Sequence, residues 1–338
     1  MTTDHDVSFD PGIRPSTIAH RSDVQTVLQH AVMPPRQHLY LSGPRGTGKT
    51  LLVQDALPAC TAPTYYLSCR RYDTQYKVLN RLYTAITDDD LNPGYHTAHL
   101  QRRLADVLPG TLLVVLDDLA FLLENNGNDL LYFLSRLDQT ELYLVGISAV
   151  HPTLETVLDE RTYSTFRPHH LPVPPYTEPQ AADILGDRVD TVCGPDAVTT
   201  EALTYLTETT TNLSLALHWL QCATHRDTPV TADTLHTVRT DALHRYWDDL
   251  LADFTWHHHA LLTTIEDTTA GSTTVTTGTV YTRYTEYCHE HRIDPLTIRR
   301  INDYLVHLEL LNLIQVTYYY GGTHGKTREL NLTPLQEL

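Results

Sequence analysis

Residues 43–50 read GPRGTGKT, a spacing of glycines, lysine and hydroxyl that suits one kind of chemistry. Glycines let backbone N–H groups turn inward around a phosphate, and a helix starting directly after such a loop adds its positive end to the same field. In this pattern Gly43, Pro44, Arg45, Gly46, Thr47 and Gly48 form the cradle, Lys49 reaches the β- and γ-phosphates of a nucleotide, and Thr50 offers its hydroxyl to Mg²⁺. A second candidate is LLVVLDD at 112–118. An apolar run that ends in two carboxylates delivers them to the carboxyl edge of a sheet, where Asp117 would hold Mg²⁺ through water and Asp118 would polarise an attacking water. Acidic residues after a strand also serve as helix caps. The phosphate loop upstream ties this pair to the nucleotide.

Such a loop works at the rim of a sheet, and the surrounding pattern supplies one. Short apolar runs at 38–42, 64–68, 111–117, 141–148 and 169–172 read as strands, and helical patterns at 49–57, 74–86, 96–107, 129–137 and 152–157 fall between them. A further helix is expected over 21–31. This alternation predicts an α/β domain with a parallel sheet covered by helices on both faces. After Pro172, Pro174 and Pro175 the strands stop, and 178–189, 200–208, 213–223 and 231–251 carry helical periodicity, a small all-helical domain. From about Asp253, helices at 257–266, 278–289 and 295–311 precede strands at 313–319 and 327–332. Three helices and a hairpin make an α+β winged helix. The expected domains are 1–175, 176–250 and 251–338, with a Thr-rich loop at 268–277.

In a winged helix the third helix docks in the major groove and the hairpin reaches an adjacent one. The third helix here offers a polar side with Thr297, Arg299, Arg300 and Asn302, separated from a packing stripe of Ile298, Ile301, Leu305, Leu308 and Leu311. The wing offers Gly321, Gly322, His324, Gly325, Lys326 and Arg328, glycines for close approach and cations for the DNA backbone. Consecutive histidines at 257–259 point in different helical directions, so they read as surface residues rather than as a metal site.

The 338 residues fit two or three compact domains, and 41% hydrophobic residues can fill their cores. A formal charge of −17 argues against nucleic acid as a partner unless arginine is placed locally. With lysine only at Lys49, Lys77 and Lys326, the acidic bias resembles proteins of salt-loving archaea. No apolar run spans a membrane and the N-terminus is acidic, so a cytoplasmic protein without membrane partners is expected. The five cysteines form no CxxC pair and read as reduced packing residues.

The two motifs together resemble the AAA+ P-loop ATPases. PSTIAHR at 15–21, DDLAFLLENNGNDLLYFLSRL at 117–137, VGIS at 145–148, PPYTEPQAADILGDR at 174–188 and PLTIRRINDYLVHLELLNLI at 295–314 are similar to the archaeal origin-recognition and cell-division-control initiators, across nearly the whole chain. The resemblance implies ATP or ADP with Mg²⁺ as cofactors and a helical lid after the sheet. It places Ile18, His20 and Arg21 beside the adenine, adds Ser148 and Tyr176 to the nucleotide site, and makes Arg161, or less well Arg167, an arginine finger reaching a neighbouring subunit. Without the resemblance, Arg161 reads as a surface ion pair with Asp159 or Glu160.

Three departures point to slow or negligible hydrolysis: Asp118 where the family carries glutamate, Ala149 where it carries a sensing asparagine, and Ser214 where it carries a lid arginine. The implied function is an initiator that binds double-stranded origin DNA, gripping it also near 125–131, with self or paralogous subunits and a replicative helicase as partners. A non-hydrolysing DNA-binding regulator, such as a plasmid or viral paralogue, and an AAA+ signalling ATPase with a protein partner remain as alternatives.

Overall fold

The computed structural model describes residues 9–11, 13–15, 17–89, 95–137, 140–149, 153–269, 274–319 and 327–338. These divide into two compact units, 14–175 and, with residues before Arg14, 176–338.

The first unit runs α1 (Ser22–Val32), β1 (Leu39–Ser42), α2 (Lys49–Ala56), β2 (Thr64–Ser68), α3 (Gln75–Thr87), α4 (Thr97–Val107), β3 (Thr111–Asp117), α5 (Leu119–Glu124), α6 (Asn128–Leu134), β4 (Glu141–Ser148), α7 (Leu154–Val157), α8 (Glu160–Phe166) and β5 (His169–Pro172). All strand pairings are parallel, in the order β2-β3-β4-β1-β5. Leu112 to Leu116 of β3 are buried without interruption, as expected of a strand covered on both faces. β1 lies between β4 and β5, so the carboxyl ends of β1, β4 and β3 adjoin, and the residues that follow them share one rim.

Two helices differ from the sequence reading. α5 begins directly after the Asp pair, and α8 follows the short α7, started by Asp159, whose side chain accepts from Thr162 N at 2.6 Å. The 125–131 segment, expected as a helical insertion that grips DNA, is a turn at 125–127 followed by the first four residues of α6, of which Leu130 and Leu131 are fully buried.

The second unit begins with four helices, α9 (Glu178–Val192), α10 (Thr200–Thr209), α11 (Leu213–Arg226) and α12 (Ala232–Leu251). Capping boxes start α9 and α12, from Thr177 with Gln180 and from Thr231 with Thr234. Then follow α13 (Trp256–Thr269), β6 (Val275–Thr276), α14 (Thr277–Glu290), α15 (Ile298–Leu310), β7 (Ile314–Tyr319) and β8 (Thr327–Leu332). This is a C-terminal winged helix. The Thr-rich stretch, expected as a loop, contributes β6, which pairs with β8 and makes the hairpin a three-stranded sheet. Two residues are too few to show a strand period.

The histidine run corrects a further expectation. His258 is 2% exposed, lies on the Tyr304 ring at 3.9 Å, and places Nε2 3.1 Å from Nδ1 of His307. Burial, reinforced by His307, holds its pKa down to about 3. The unfolded chain therefore takes up a proton here near pH 6.5 that the folded domain refuses. This contribution is complete above pH 6.5 and is lost as pH falls from 6.5 toward 3, by about 2 kcal/mol at pH 5. Thermal melts at pH 7 and pH 5 should show the loss in the wild type and a smaller one in His258→Phe. Equal losses in both would assign acid sensitivity to other groups.

No helix among the described residues is long and apolar enough to cross a membrane. The five cysteines are free, with Cys69 and Cys288 fully buried.

Candidate nucleotide site and nucleic-acid interface

The loop after β1 is built by backbone approach. Gly46 and Gly48 have φ of 72° and 85°, a region that side chains resist. At Gly43 a Cβ would lie 2.0 Å from the Val173 carbonyl oxygen. Gly43→Ala is thus expected to cost about 3 kcal/mol of stability, read as a fall in denaturation midpoint, whereas Gly110→Ala, with open space around it, should cost far less. Equal midpoints for the two variants would mean that the loop yields freely.

Lys49 opens α2 and is 6% exposed. Its ammonium donates to the carbonyls of Gly43 and Pro44 at 2.7 and 2.6 Å and to the Thr47 hydroxyl at 3.2 Å. Burial, with the charge of Arg45 nearby, pushes its pKa down to about 7. Thr47 in turn donates to Pro44 O at 3.0 Å, so the cradle is internally braced.

Parallel pairing brings the end of β3 to this loop. Thr50 Oγ1 donates to Asp117 Oδ2 at 3.0 Å, and the Tyr66 hydroxyl of β2 donates to the same oxygen. Burial and the adjacent Asp118 raise the Asp117 pKa. Burial alone would also raise Asp118, but Arg45 at 3.3 Å and Arg70 at 2.5 Å overcome it and hold that carboxyl below the ordinary range. A hydroxyl and a carboxylate in contact beside a buried lysine and a glycine cradle fit Mg²⁺ with a polyphosphate. Asp118, expected to orient water, is engaged by two guanidinium groups.

Tyr66 and Arg70 were not anticipated. Only the strand order, β2 beside β3, reveals that Tyr66 in the middle of β2 and Arg70 just after it reach the Asp pair; spacing could not choose between Arg70 and Arg71.

The remaining nucleotide candidates are placed as follows. Ile18 packs half-buried against the core of the first unit, His20 has φ 58°, and buried Arg21 donates to Pro174 O at 2.6 Å. Ser148 is buried, hydrogen-bonded to Tyr40, and its carbonyl accepts from Gly43 N at 3.3 Å. Tyr176 is buried in the second unit, where Ser214 sits in the first turn of α11. Arg161 is exposed, lies over the Tyr132 ring at 4.1 Å, and pairs with Asp129 at 3.4 Å and Asp159 at 3.9 Å.

On the winged helix, Thr297 caps α15, its hydroxyl accepting from Arg300 N, and Arg299 and Arg300 are exposed. Ile301, Leu305, Leu308 and Leu311 are fully buried, but Ile298, expected in that stripe, is 42% exposed because the helix begins there rather than at Pro295. Asn302 and Arg328, expected on DNA, are hydrogen-bonded to each other. Gly322, His324 and Lys326 lie outside the described residues.

A family model described as AAA domain matches residues 33–154, and one described as CDC6, C terminal winged helix domain, matches residues 249–337. The solved structure of the Aeropyrum pernix ORC1 protein in complex with DNA superposes with a TM-score of 0.73 at 25% identity, covering 97% of this chain and 93% of that one. The chain is an ORC1/Cdc6-type AAA+ protein. Among curated relatives, an ORC1-type DNA replication protein of Methanocorpusculum labreanum is 24% identical over 360 residues, 94% of this chain and 84% of the relative. ORC1-type DNA replication protein 1 of Archaeoglobus fulgidus is 26% identical over 352 residues, 94% and 85%. In this ORC1/Cdc6-type chain the AAA match holds the loop, Thr50, Tyr66, Arg70 and the Asp pair, and the winged-helix match holds α15.

Proposed function

We propose that this ORC1/Cdc6-type protein is a replication initiator that binds duplex DNA, with ATP or ADP and Mg²⁺ at the loop after β1 setting the angle between its domains and so controlling helicase loading. One observation carries the reading. A single chain joins a phosphate loop, with Thr50 in contact with Asp117, to a winged helix that presents Arg299 and Arg300 to solvent.

On this reading residues 1–175 bind nucleotide, 176–250 form the lid and 251–338 hold DNA. Ile18, His20, Arg21, Ser148 and Tyr176 complete the nucleotide site. Bound Mg²⁺ neutralises charge between the phosphates; Lys49 and the loop amides orient them. Arg161, carried at the start of α8, serves a neighbouring subunit. Thr297, Arg299 and Arg300 meet the major groove, with Gly322, His324 and Lys326 on the wing. Because Arg45 and Arg70 engage Asp118, hydrolysis is slow. That same engagement, with Ala149 after β4, favours the second reading, a non-hydrolysing DNA-binding regulator.

Single-turnover hydrolysis and duplex binding with ATP, ADP or no nucleotide test both. Affinity that changes with nucleotide supports the switch. Equal affinity in all three states would leave only the regulator, and a hydrolysis rate indifferent to Lys49→Ala would remove the enzymatic claim.

A further inference from the structure

Arg328 stands at a junction between four elements of the winged helix. It lies on β8 directly opposite Tyr318 of β7. Its Nε donates to the Thr277 hydroxyl at 3.1 Å, at the start of α14, and its Nη2 donates to Asn302 Oδ1 in the second turn of α15. Tyr318 is hydrogen-bonded to it as well, and the Tyr318 hydroxyl donates to Glu309 Oε2 of α15 at 3.3 Å. One half-buried side chain therefore joins both strands of the wing to the two helices beneath it.

A guanidinium carries its N–H donors in a rigid planar fork. The Nε and Nη2 donors spent on Thr277 and Asn302 are withdrawn from phosphate and fix the plane of the fork, and the Asn302 carbonyl oxygen that accepts from Arg328 is turned toward the wing rather than to a base. Resting on the duplex-binding reading above, we propose that Arg328 and Asn302 form a latch that sets the angle of the wing against α15. They act on DNA as positioning residues, through geometry rather than contact. Arg299 and Arg300, exposed one turn earlier, are left as the cations of α15 that meet phosphate.

The test uses the full chain and a labelled 30-bp duplex enriched by the wild type from a random pool. Binding is measured across a salt series well below the melting temperature, with hydroxyl-radical footprints alongside. Arg328→Met and Asn302→Ala should each weaken binding roughly three- to tenfold, and the double variant should be no weaker than either single one. The salt slope should stay unchanged, and protection by the wing should fade while that by α15 persists. Asn302→Asp, which keeps an acceptor for the guanidinium, should retain the wing footprint.

A slope shallower by about 0.9 in Arg328→Met would mark a lost phosphate contact and overturn the latch. So would additive losses in the double variant, or a lowered melting temperature with affinity and footprint unchanged. If Arg328→Met does not fold, the Asn302 pair decides: loss in Asn302→Ala with retention in Asn302→Asp upholds the latch, and equal behaviour overturns it. A wild type that enriches no duplex overturns the duplex-binding reading and the latch together, whereas the other adverse outcomes overturn the latch alone.

Discussion

Lys49→Ala is expected to weaken ATP and ADP binding by about 100-fold, equivalent to about 3 kcal/mol, with little change in melting temperature. The side chain is almost fully enclosed, and its three hydrogen bonds all run to the loop itself. It braces no other part of the sheet, so its loss should fall on the ligand. A phosphate entering the cradle exchanges those carbonyl partners for anionic oxygens, which makes stronger, charge-assisted bonds. Lys49→Arg should rescue poorly, because a planar fork does not fit a space closed around an ammonium. Thr50→Val offers a contrast: the hydroxyl that meets Asp117 at 3.0 Å is lost, so the gain in affinity brought by Mg²⁺ should shrink while binding in chelator stays close to wild type. Titration with a fluorescent ATP analogue, with and without Mg²⁺, reads all three variants. An alanine variant that binds within threefold of wild type would move the nucleotide away from this loop.

The second large effect is expected on DNA. Replacing Arg299 and Arg300 together with alanine should weaken duplex binding about 100-fold at 0.1 M salt, and it should lower the slope of log affinity against log salt by up to about 1.8, near 0.9 for each phosphate contact removed. Both residues are exposed in the first turn of α15. Arg300 is also steered, its guanidinium lying 5.6 Å from the centre of the Tyr304 ring, which lowers the entropy of presenting it. Tyr304 is itself buried against His258. The core of the domain thus reaches its charged face through one aromatic stack. Anisotropy titrations at four salt concentrations separate the outcomes. A double variant with wild-type slope would place the DNA surface elsewhere on the chain.

Much of the architecture was legible in the residues. A loop with glycines at 43, 46 and 48 can form only where backbone approach is tight, and φ values of 72° and 85° at the latter two satisfy that demand. The inner strands were readable because a parallel sheet buries both their faces, which leaves unbroken apolar runs such as 112–116; the edge strands β2 and β5 are only partly buried. The winged helix followed from helical periodicity and a hairpin signal. What failed was short or one-sided. β6 has two residues, α8 depends on a cap at Asp159, and Ile298 obeyed the apolar period but stands at the first position of α15, where no preceding turn covers it. The histidines at 257–259 looked solvated because polarity is a local property and burial is not; His258 enters the core through Tyr304 and His307, both nearly fifty residues away in sequence.

By itself the sequence determined which residue types stand at each turn of chain: Lys49 and Thr50 after a glycine loop, Asp117 and Asp118 after an apolar strand, Arg299 and Arg300 at a helix start. Those assignments are local, governed by backbone sterics and periodicity within a dozen residues. Only the tertiary structure decided the partners. It brought Tyr66 to Asp117, closed Arg45 and Arg70 on Asp118, and joined Arg328 to Asn302 and Thr277. The reason is that strand order and helix packing set distances between residues tens of positions apart, and the charge or hydrogen bond each side chain finally meets depends on those distances.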